Sequence, residues 1–191
     1  SGGYSGAPRN YAKAPTTDCT AIEDPLSSRT PADFKKCDYT NTVVKKVTVT
    51  LHPGTYCGGI VVDNNAFVTF APGNYIIKDG QLRTRNSGEA VGDGVSFYFT
   101  GEDARFNFDG TSIVDFKAPE TGPMAGLLFF EDPASPEGTI FEVSAKRAAN
   151  LLGTIYLPKG TLKVHAKNKI AESSAYTVIV ARKIDIGNLA D

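Results

Sequence analysis

The chain has 191 residues, of which 41% are hydrophobic, which is enough for one domain with a sizeable core. Its 20 Lys and Arg residues balance 21 Asp and Glu residues, so the net charge gives no basis for binding nucleic acid, an anionic membrane or an acidic partner. Trp is absent, and Val, Ile, Thr and aromatic residues recur in short runs separated by Gly, Pro and Asn, which is typical of all-β proteins.

No apolar stretch approaches the roughly 18 residues that a membrane span requires. The chain opens on Ser1-Gly2-Gly3, without a methionine and without a charged-then-apolar signal. We therefore expect contact with a membrane only through an anchor upstream of Ser1.

The first 41 residues predict an irregular N-terminal segment, with prolines at positions 8, 15, 25 and 31 and no apolar period. Thr30-Pro31-Ala32-Asp33 combines an N-cap, a proline at the first helical position and an acid in the first turn. This pattern predicts a short helix reaching Lys36 that caps the end of the folded domain. We assign residues 1–41 to this segment and cap, and residues 42–191 to the folded domain.

Strand-like runs follow one another from Thr42 onward, and two of them share a motif. Residues 47–56 read VTVTLHPGTY and residues 66–75 read AFVTFAPGNY, so that Pro72 follows Pro53 after 19 residues (72 − 53). Residues 157–162, LPKGTL, end another run in a similar way. A recurrence of about 20 residues is typical of repeat architectures. The remaining runs are 59–62, 75–78, 95–100, 127–130, 139–143, 151–157, 161–164 and 176–184.

Asparagines between these runs recur with a similar period. They are Asn65, Asn86, Asn150, Asn168 and Asn188. Three spacings are 21 (86 − 65), 18 (168 − 150) and 20 (188 − 168). Asn tolerates the left-handed backbone conformation that the corners of a coiled sheet need. Unrelated turns are the alternative interpretation.

Together these patterns predict a right-handed parallel β-helix with roughly 20 residues per coil, and a β-sandwich is the alternative. The alternation of strand residues predicts which side chains point into the coil. They are Val49, Phe70, Ile76, Phe97, Phe99, Leu128, Phe130, Ile155 and Val164.

The same period predicts one disulfide bond. Cys37 and Cys57 are 20 residues apart (57 − 37), which is one coil, and adjacent strands lie about 4.8 Å apart, within the range of a disulfide. Cys19 is then unpaired within this chain. A bridge implies an oxidising compartment; three unrelated thiols are the alternative. Three cysteines and two distant histidines fit no common zinc-ligand spacing, so we expect no metal and no cofactor.

Several motifs resemble the C-terminal region of TadG-like proteins, which belong to the tight-adherence (Flp) pilus machinery of bacteria. The resemblance covers about residues 18–188. The motifs are Asp24-Pro25-Leu26, residues 37–41 (CDYTN), 51–59 (LHPGTYCGG), 70–77 (FAPGNYII), 95–101 (VSFYFTG), 126–132 (GLLFFED) and 153–158 (GTIYLP). The family usually repeats Ser-Gly-Asn at the corners, whereas this chain has Asp63-Asn64-Asn65 and Ala166-Lys167-Asn168, so the coil is expected to be less regular.

The resemblance implies a bacterial envelope protein, periplasmic or at the cell surface, with a role in pilus assembly or surface attachment. Its implied partners are pilus assembly or envelope proteins, and a surface glycan is a further candidate. The family supplies no catalytic residues.

The sequence contains no recognisable combination of catalytic residues. His52 and His165 are isolated, and the glycine-rich segment 88–94 lacks the lysine of a phosphate loop. Six aspartates are the remaining candidates for a carbohydrate-processing or Ca²⁺ site, because β-helical lyases and hydrolases use carboxylates from neighbouring coils: Asp63, Asp79, Asp93, Asp103, Asp109 and Asp115. Asp79 and Asp103 are 24 residues apart, and Asp93 and Asp115 are 22 residues apart, so we expect some of these aspartates to stack on adjacent coils. The alternative is that the aspartates only stabilise turns.

One segment between strands is rich in proline and acids and predicts a stiff, exposed loop that leaves the coil. We expect it to form the contact surface through Glu131, Asp132, Pro133, Ser135, Pro136 and Glu137. A non-enzymatic envelope module is the favoured function, and a carbohydrate-processing enzyme and a glycan-binding module are the alternatives.

Overall fold

The computed structural model describes residues 3–7, 12–17, 20, 24, 26, 28–29, 36–145, 147–165, 171 and 173–187. Over these residues the chain is all-β and forms a parallel β-helix of about six turns, which confirms the predicted fold class. No helix in this part of the chain has the length and apolar character required to cross a membrane.

Thirteen strands make up the coil. They are β1 (Tyr39–Lys45), β2 (Thr48–Leu51), β3 (Gly54–Asp63), β4 (Phe67–Phe70), β5 (Gly73–Thr84), β6 (Glu89–Asp93), β7 (Val95–Thr100), β8 (Arg105–Phe108), β9 (Ile113–Lys117), β10 (Leu127–Glu131), β11 (Ile140–Val143), β12 (Arg147–His165) and β13 (Thr177–Gly187).

The strands stack into three parallel faces. The first face contains the first halves of β3, β5 and β13, together with β7, β10 and residues 153–157 of β12. The second face contains the second halves of β1, β3, β5 and β13, with β8, β11 and residues 161–165 of β12. The third face contains β2, β4, β6, β9 and residues 147–152 of β12. Long strands such as β5 and β12 therefore continue round a corner from one face to the next.

Coil length varies around the predicted 20 residues. Paired residues are 17 apart for Tyr39 and Tyr56 (56 − 39) and 22 apart for Phe67 and Glu89 (89 − 67). The separation rises to 32 residues between Phe97 and Phe129 (129 − 97) and to 35 between Asp115 and Asn150 (150 − 115), because a connection over residues 118–126 leaves the coil at that point.

A ladder of aromatic rings fills the interior. Ring centroids of Tyr56 and Tyr75 are 5.9 Å apart, those of Tyr75 and Phe97 are 5.4 Å apart, and those of Phe97 and Phe129 are 5.7 Å apart. All four side chains are inaccessible to solvent. Each aromatic packs on the coil above and below, so burial holds successive turns together.

Seven of the nine side chains predicted to point inward contact this core, although Val49 and Val164 are only partly buried. The prediction was wrong for Ile76 and Phe130, which belong to a separate cluster on the outer side of the first face. Tyr75 and Ile77 flank Ile76 and face inward, so the alternation places Ile76 outside.

The N-terminal segment covers this outer cluster. Leu26 packs against it, the hydroxyl of Tyr156 donates a hydrogen bond to Asp24, and the Arg29 guanidinium donates to the carbonyl of Pro123 (2.6 Å). The outer side of the first face is therefore apolar because it is covered by chain. The short helix predicted from Thr30 falls on residues 30–35, outside the described residues, and β1 begins at Tyr39, before the predicted boundary at residue 42.

The corner between the second and third faces uses the predicted asparagine chemistry. Asn65 and Asn86 have left-handed backbones, with φ of 57° and 49°. The Asn86 amide donates to the carboxylate of Asp63 (2.8 Å), and the Asn86 backbone N–H donates to Asp109 (3.2 Å). The prediction was wrong for Asn150, which lies within β12. Asn168 and Asn188 lie outside the described residues.

We expect Asn86→Ala to lower the free energy of unfolding by about 1–2 kcal/mol, because a left-handed alanine is strained and a hydrogen bond to the buried Asp63 is lost. Urea unfolding measures this difference. Asn107→Ala, in strand β8, is the matched control and should change stability by less than about 0.5 kcal/mol. An equal loss in both variants would contradict the role of the corner.

Three strands were missed at the sequence level: β6, β8 and β9. These strands contain Gly92 and several charged side chains. Glycine and charged residues have low β-propensity, so the local sequence does not indicate a strand.

The predicted disulfide between Cys37 and Cys57 is present, with their Cα atoms 5.7 Å apart. Thr40, rather than Cys37, is the strand partner of Cys57, so the bridge fastens the residue just before β1 to the coil that follows. Cys19 lies outside the described residues. The disulfide indicates that the chain resides outside the cytoplasm.

Candidate functional site

The loop between β10 and β11, residues 132–139, leaves the coil as predicted and is anchored at its base. The Asp132 carboxylate accepts hydrogen bonds from the Thr100 hydroxyl (2.7 Å) and the Ala134 backbone N–H (2.9 Å). Ser135 is buried and its N–H donates to the Asp132 carbonyl (2.9 Å). Pro133 and Pro136 are exposed. The loop therefore presents a small, locally ordered surface.

Glu137 ties the far side of the same loop to the last two coils. Its carboxylate lies 3.5 Å from the Lys159 ammonium and 3.4 Å from the Arg182 guanidinium. The Gly138 N–H donates to the Lys159 carbonyl (3.0 Å). Each exposed ion pair contributes little to stability, but together with the hydrogen bond they orient the loop.

Glu131 does not belong to the exposed surface, contrary to the prediction. It ends strand β10, opposite Phe99, and is inaccessible to solvent. One carboxylate oxygen accepts hydrogen bonds from the backbone N–H groups of Lys159 (2.9 Å) and Gly160 (2.8 Å), whereas the other has no partner among the described residues. Burial raises the pKa of Glu131 to about 7, and the two N–H donors partly oppose this rise.

A shallow groove of about 460 Å³ lies on the third face and contains two of the candidate aspartates, Asp93 and Asp115. Asp115 accepts a hydrogen bond from the Asn150 amide (2.9 Å). Asp93 lies 3.6 Å from the Lys117 ammonium, its neighbour on the adjacent coil. Asp115 pairs with Val91 in the strand register, so the predicted stacking of Asp93 on Asp115 is wrong.

Lys117 gives this groove a fixed positive charge. A hydrogen bond to Glu120 and the nearby carboxylate of Asp93 raise the pKa of Lys117. Asp93 and Asp115 therefore have separate partners, the Lys117 ammonium and the Asn150 amide. The arrangement suits hydrogen bonding to hydroxyl groups better than acid–base catalysis by a carboxylate pair.

The remaining aspartates lie at corners. Asp63 is buried, and its pKa is lowered by the Asn86 amide and by Arg85, whose guanidinium lies 3.0 Å away. Asp109 bonds to its own turn through Thr111 (3.0 Å). Asp79 and Asp103 both line a second groove, and the Asp79 carboxylate accepts a hydrogen bond from the Glu102 backbone N–H (3.3 Å).

The two histidines are far apart in the chain and in the fold. His52 is exposed beside Pro53, and its carbonyl accepts a hydrogen bond from Tyr56 (2.7 Å). His165, on the second face, lies 2.6 Å from the Glu142 carboxylate. Neither is paired with a nucleophile.

No group of three or more His, Cys, Asp and Glu side chains in the described part of the chain is placed to hold a metal ion. The described residues offer three candidate surfaces: the β10–β11 loop, the third-face groove and the second groove, which Asp79 and Asp103 line. Neither a scan against protein-family models nor searches of curated proteins and of solved structures found a match to this chain.

Proposed function

We propose that the chain is a non-enzymatic module of the bacterial envelope that supports pilus assembly or surface attachment through the outer surfaces of its β-helix. The observation that carries this proposal is the β10–β11 loop, whose exposed prolines are held by Asp132 and Glu137. A surface that is ordered before binding loses less conformational entropy when a partner docks.

The disulfide supports the location, because a Cys37–Cys57 bridge persists in an oxidising compartment. The resemblance to TadG-like proteins supports the pilus setting. The separate partners of Asp93 and Asp115 support a binding role rather than a catalytic one.

Replacing residues 133–137 with two glycines should weaken attachment or piliation in the strain that carries this protein, while the purified chain stays folded. Folding should persist because Glu131 and all strands remain and because the lost ion pairs of Glu137 are exposed. Adhesion assays and counts of surface pili measure the first effect, and thermal unfolding measures the second.

The matched control replaces residues 120–122, an exposed turn on the connection that precedes β10. This variant should attach normally. Normal piliation and adhesion in the 133–137 variant would exclude the loop as the contact surface.

A glycan-binding or carbohydrate-processing function is the second candidate, favoured by Asp93, Asp115 and Lys117 in the third-face groove. The Asp115→Asn variant distinguishes a carbohydrate-processing enzyme from a glycan-binding module. Turnover of a polysaccharide by the purified chain that is abolished by Asp115→Asn would establish an enzyme and overturn the non-enzymatic proposal. Binding without turnover would leave the chain a glycan-binding module.

A further inference from the structure

A second groove, of about 320 Å³, lies on the second face and is rich in arginine. Arg83 lies in β5, Arg85 directly follows the end of that strand, and Arg105 on the next coil pairs with Gln81; all three line the groove. Residues two apart on a strand point to the same side and are separated by roughly 7 Å. The volume is within the range of about 300–1,000 Å³ that small-molecule sites occupy.

The three arginines differ in their partners. Arg85 contacts the buried Asp63 (3.0 Å), and Arg105 contacts the exposed Asp103 (3.3 Å). The half-buried Arg83 has no hydrogen-bond or ion-pair partner among the described residues, and its Nε atom is shielded from water. An unsatisfied buried donor destabilises a fold. A contribution to folding stability therefore does not explain the presence of an arginine at position 83.

The rest of the lining offers hydrogen-bond acceptors. The carboxylates of Asp79 and Asp103 and the amide of Gln81 lie along the same groove. Arg85 is paired with Asp63 and Arg105 with Asp103, so Arg83 is the one guanidinium of the groove without a carboxylate partner among the described residues. The groove therefore suits a ligand that carries one negative charge together with several hydroxyl donors.

We propose that this groove binds the carboxylate of an acidic sugar, a uronic acid residue of a glycan, with Arg83 as its principal contact. The planar guanidinium pairs with a carboxylate through two parallel hydrogen bonds, and Asp79 and Asp103 accept from the sugar hydroxyls. This inference rests on the proposed function in the bacterial envelope, and it adds a ligand class to that function.

Charge argues against other anions. A doubly charged phosphate would meet the two carboxylates of Asp79 and Asp103, and among the residues that the structure describes Arg83 is the one guanidinium of the groove free of a carboxylate partner to offset its charge. An acidic peptide carries carboxylates but few hydroxyl donors, so Asp79 and Asp103 would repel it.

Isothermal titration of the purified chain with the monosaccharide galacturonate, which carries one carboxylate, tests the proposal. We expect saturable binding that Arg83→Gln weakens at least tenfold and that Arg83→Lys restores only in part, because lysine keeps the charge without the planar fork. Lys163→Gln is the matched control, since Lys163 lies on the same face outside the groove and contacts Glu142 (3.9 Å). It should bind normally.

Thermal unfolding checks each variant. Because Arg83 has no folded partner to lose, Arg83→Gln should leave the melting temperature unchanged or raise it, and Arg105→Gln provides a second test of binding. No binding of galacturonate, equal binding of neutral galactose, tighter binding of inorganic phosphate or of a polyglutamate peptide, or unchanged affinity in Arg83→Gln would each overturn the proposal. Loss of attachment in the loop variant is scored separately in cells, so failure of one test is distinguishable from failure of the other.

Discussion

The free energy of unfolding is expected to fall by roughly 2–3 kcal/mol between pH 5 and pH 8 through Glu131 alone. The folded-state pKa of about 7 lies above the ordinary value of 4.5, so the folded chain binds more protons than the unfolded chain between these values. The stabilisation is fully present below pH 4.5 and is lost as pH rises through 7. About 1.4 kcal/mol per pKa unit sets the magnitude.

Glu131→Gln should remove this pH dependence, because glutamine stays neutral while its carbonyl oxygen still accepts from the N–H groups of Lys159 and Gly160. Urea unfolding at a series of pH values measures the effect as the difference between the two proteins. Glu137→Gln, an exposed glutamate of the neighbouring loop, is the control and should keep the wild-type slope. Parallel curves for the wild type and Glu131→Gln would contradict the burial of an ionisable carboxyl at this position.

Removal of the Cys37–Cys57 disulfide is expected to cost about 3 kcal/mol. The bridge closes a segment with a sequence separation of 20 residues, and loop-closure entropy of the unfolded chain sets this magnitude. Urea unfolding of the Cys37→Ser/Cys57→Ser double variant measures the loss. Hydrogen exchange should show that residues 36–45 lose protection first, because the bridge fastens the start of β1 to β3.

Cys19→Ser is the matched control and should leave stability unchanged, because Cys19 is predicted to be unpaired. Non-reducing mass spectrometry of the wild type should find Cys37 joined to Cys57. A bridge from Cys19 to either partner in solution, or equal stability of the double variant and the wild type, would contradict the assignment.

The predictable part of the fold followed from local rules that repeat. Pro53-Gly54 and Pro72-Gly73 mark the same corner on successive coils, and Asn65 and Asn86 mark another, because each corner has the same backbone requirement. The separation of Cys37 from Cys57 matched a coil closely enough to identify the pair, although Cys37 lies just outside the strand register.

The candidate site was predictable in outline only. The prolines of the β10–β11 loop identified an exposed excursion, but nothing in the local sequence distinguishes the buried Glu131 from the exposed Glu137. Burial of Glu131 depends on Lys159 and Gly160, which lie on the next coil. The arginine groove was missed for the same reason, since Arg83 and Arg105 belong to different coils.

The sequence by itself determined the β-helix, its period, its disulfide and the position of its main loop, because these depend on turn chemistry and on contacts between equivalent positions one coil apart. Tertiary structure alone decided which face of a strand is covered. Ile76 and Phe130 are buried on the outside because the N-terminal segment packs there through Leu26. Alternation separates the two sides of a strand but does not state which side contacts water, and that choice is made by chain segments distant in sequence.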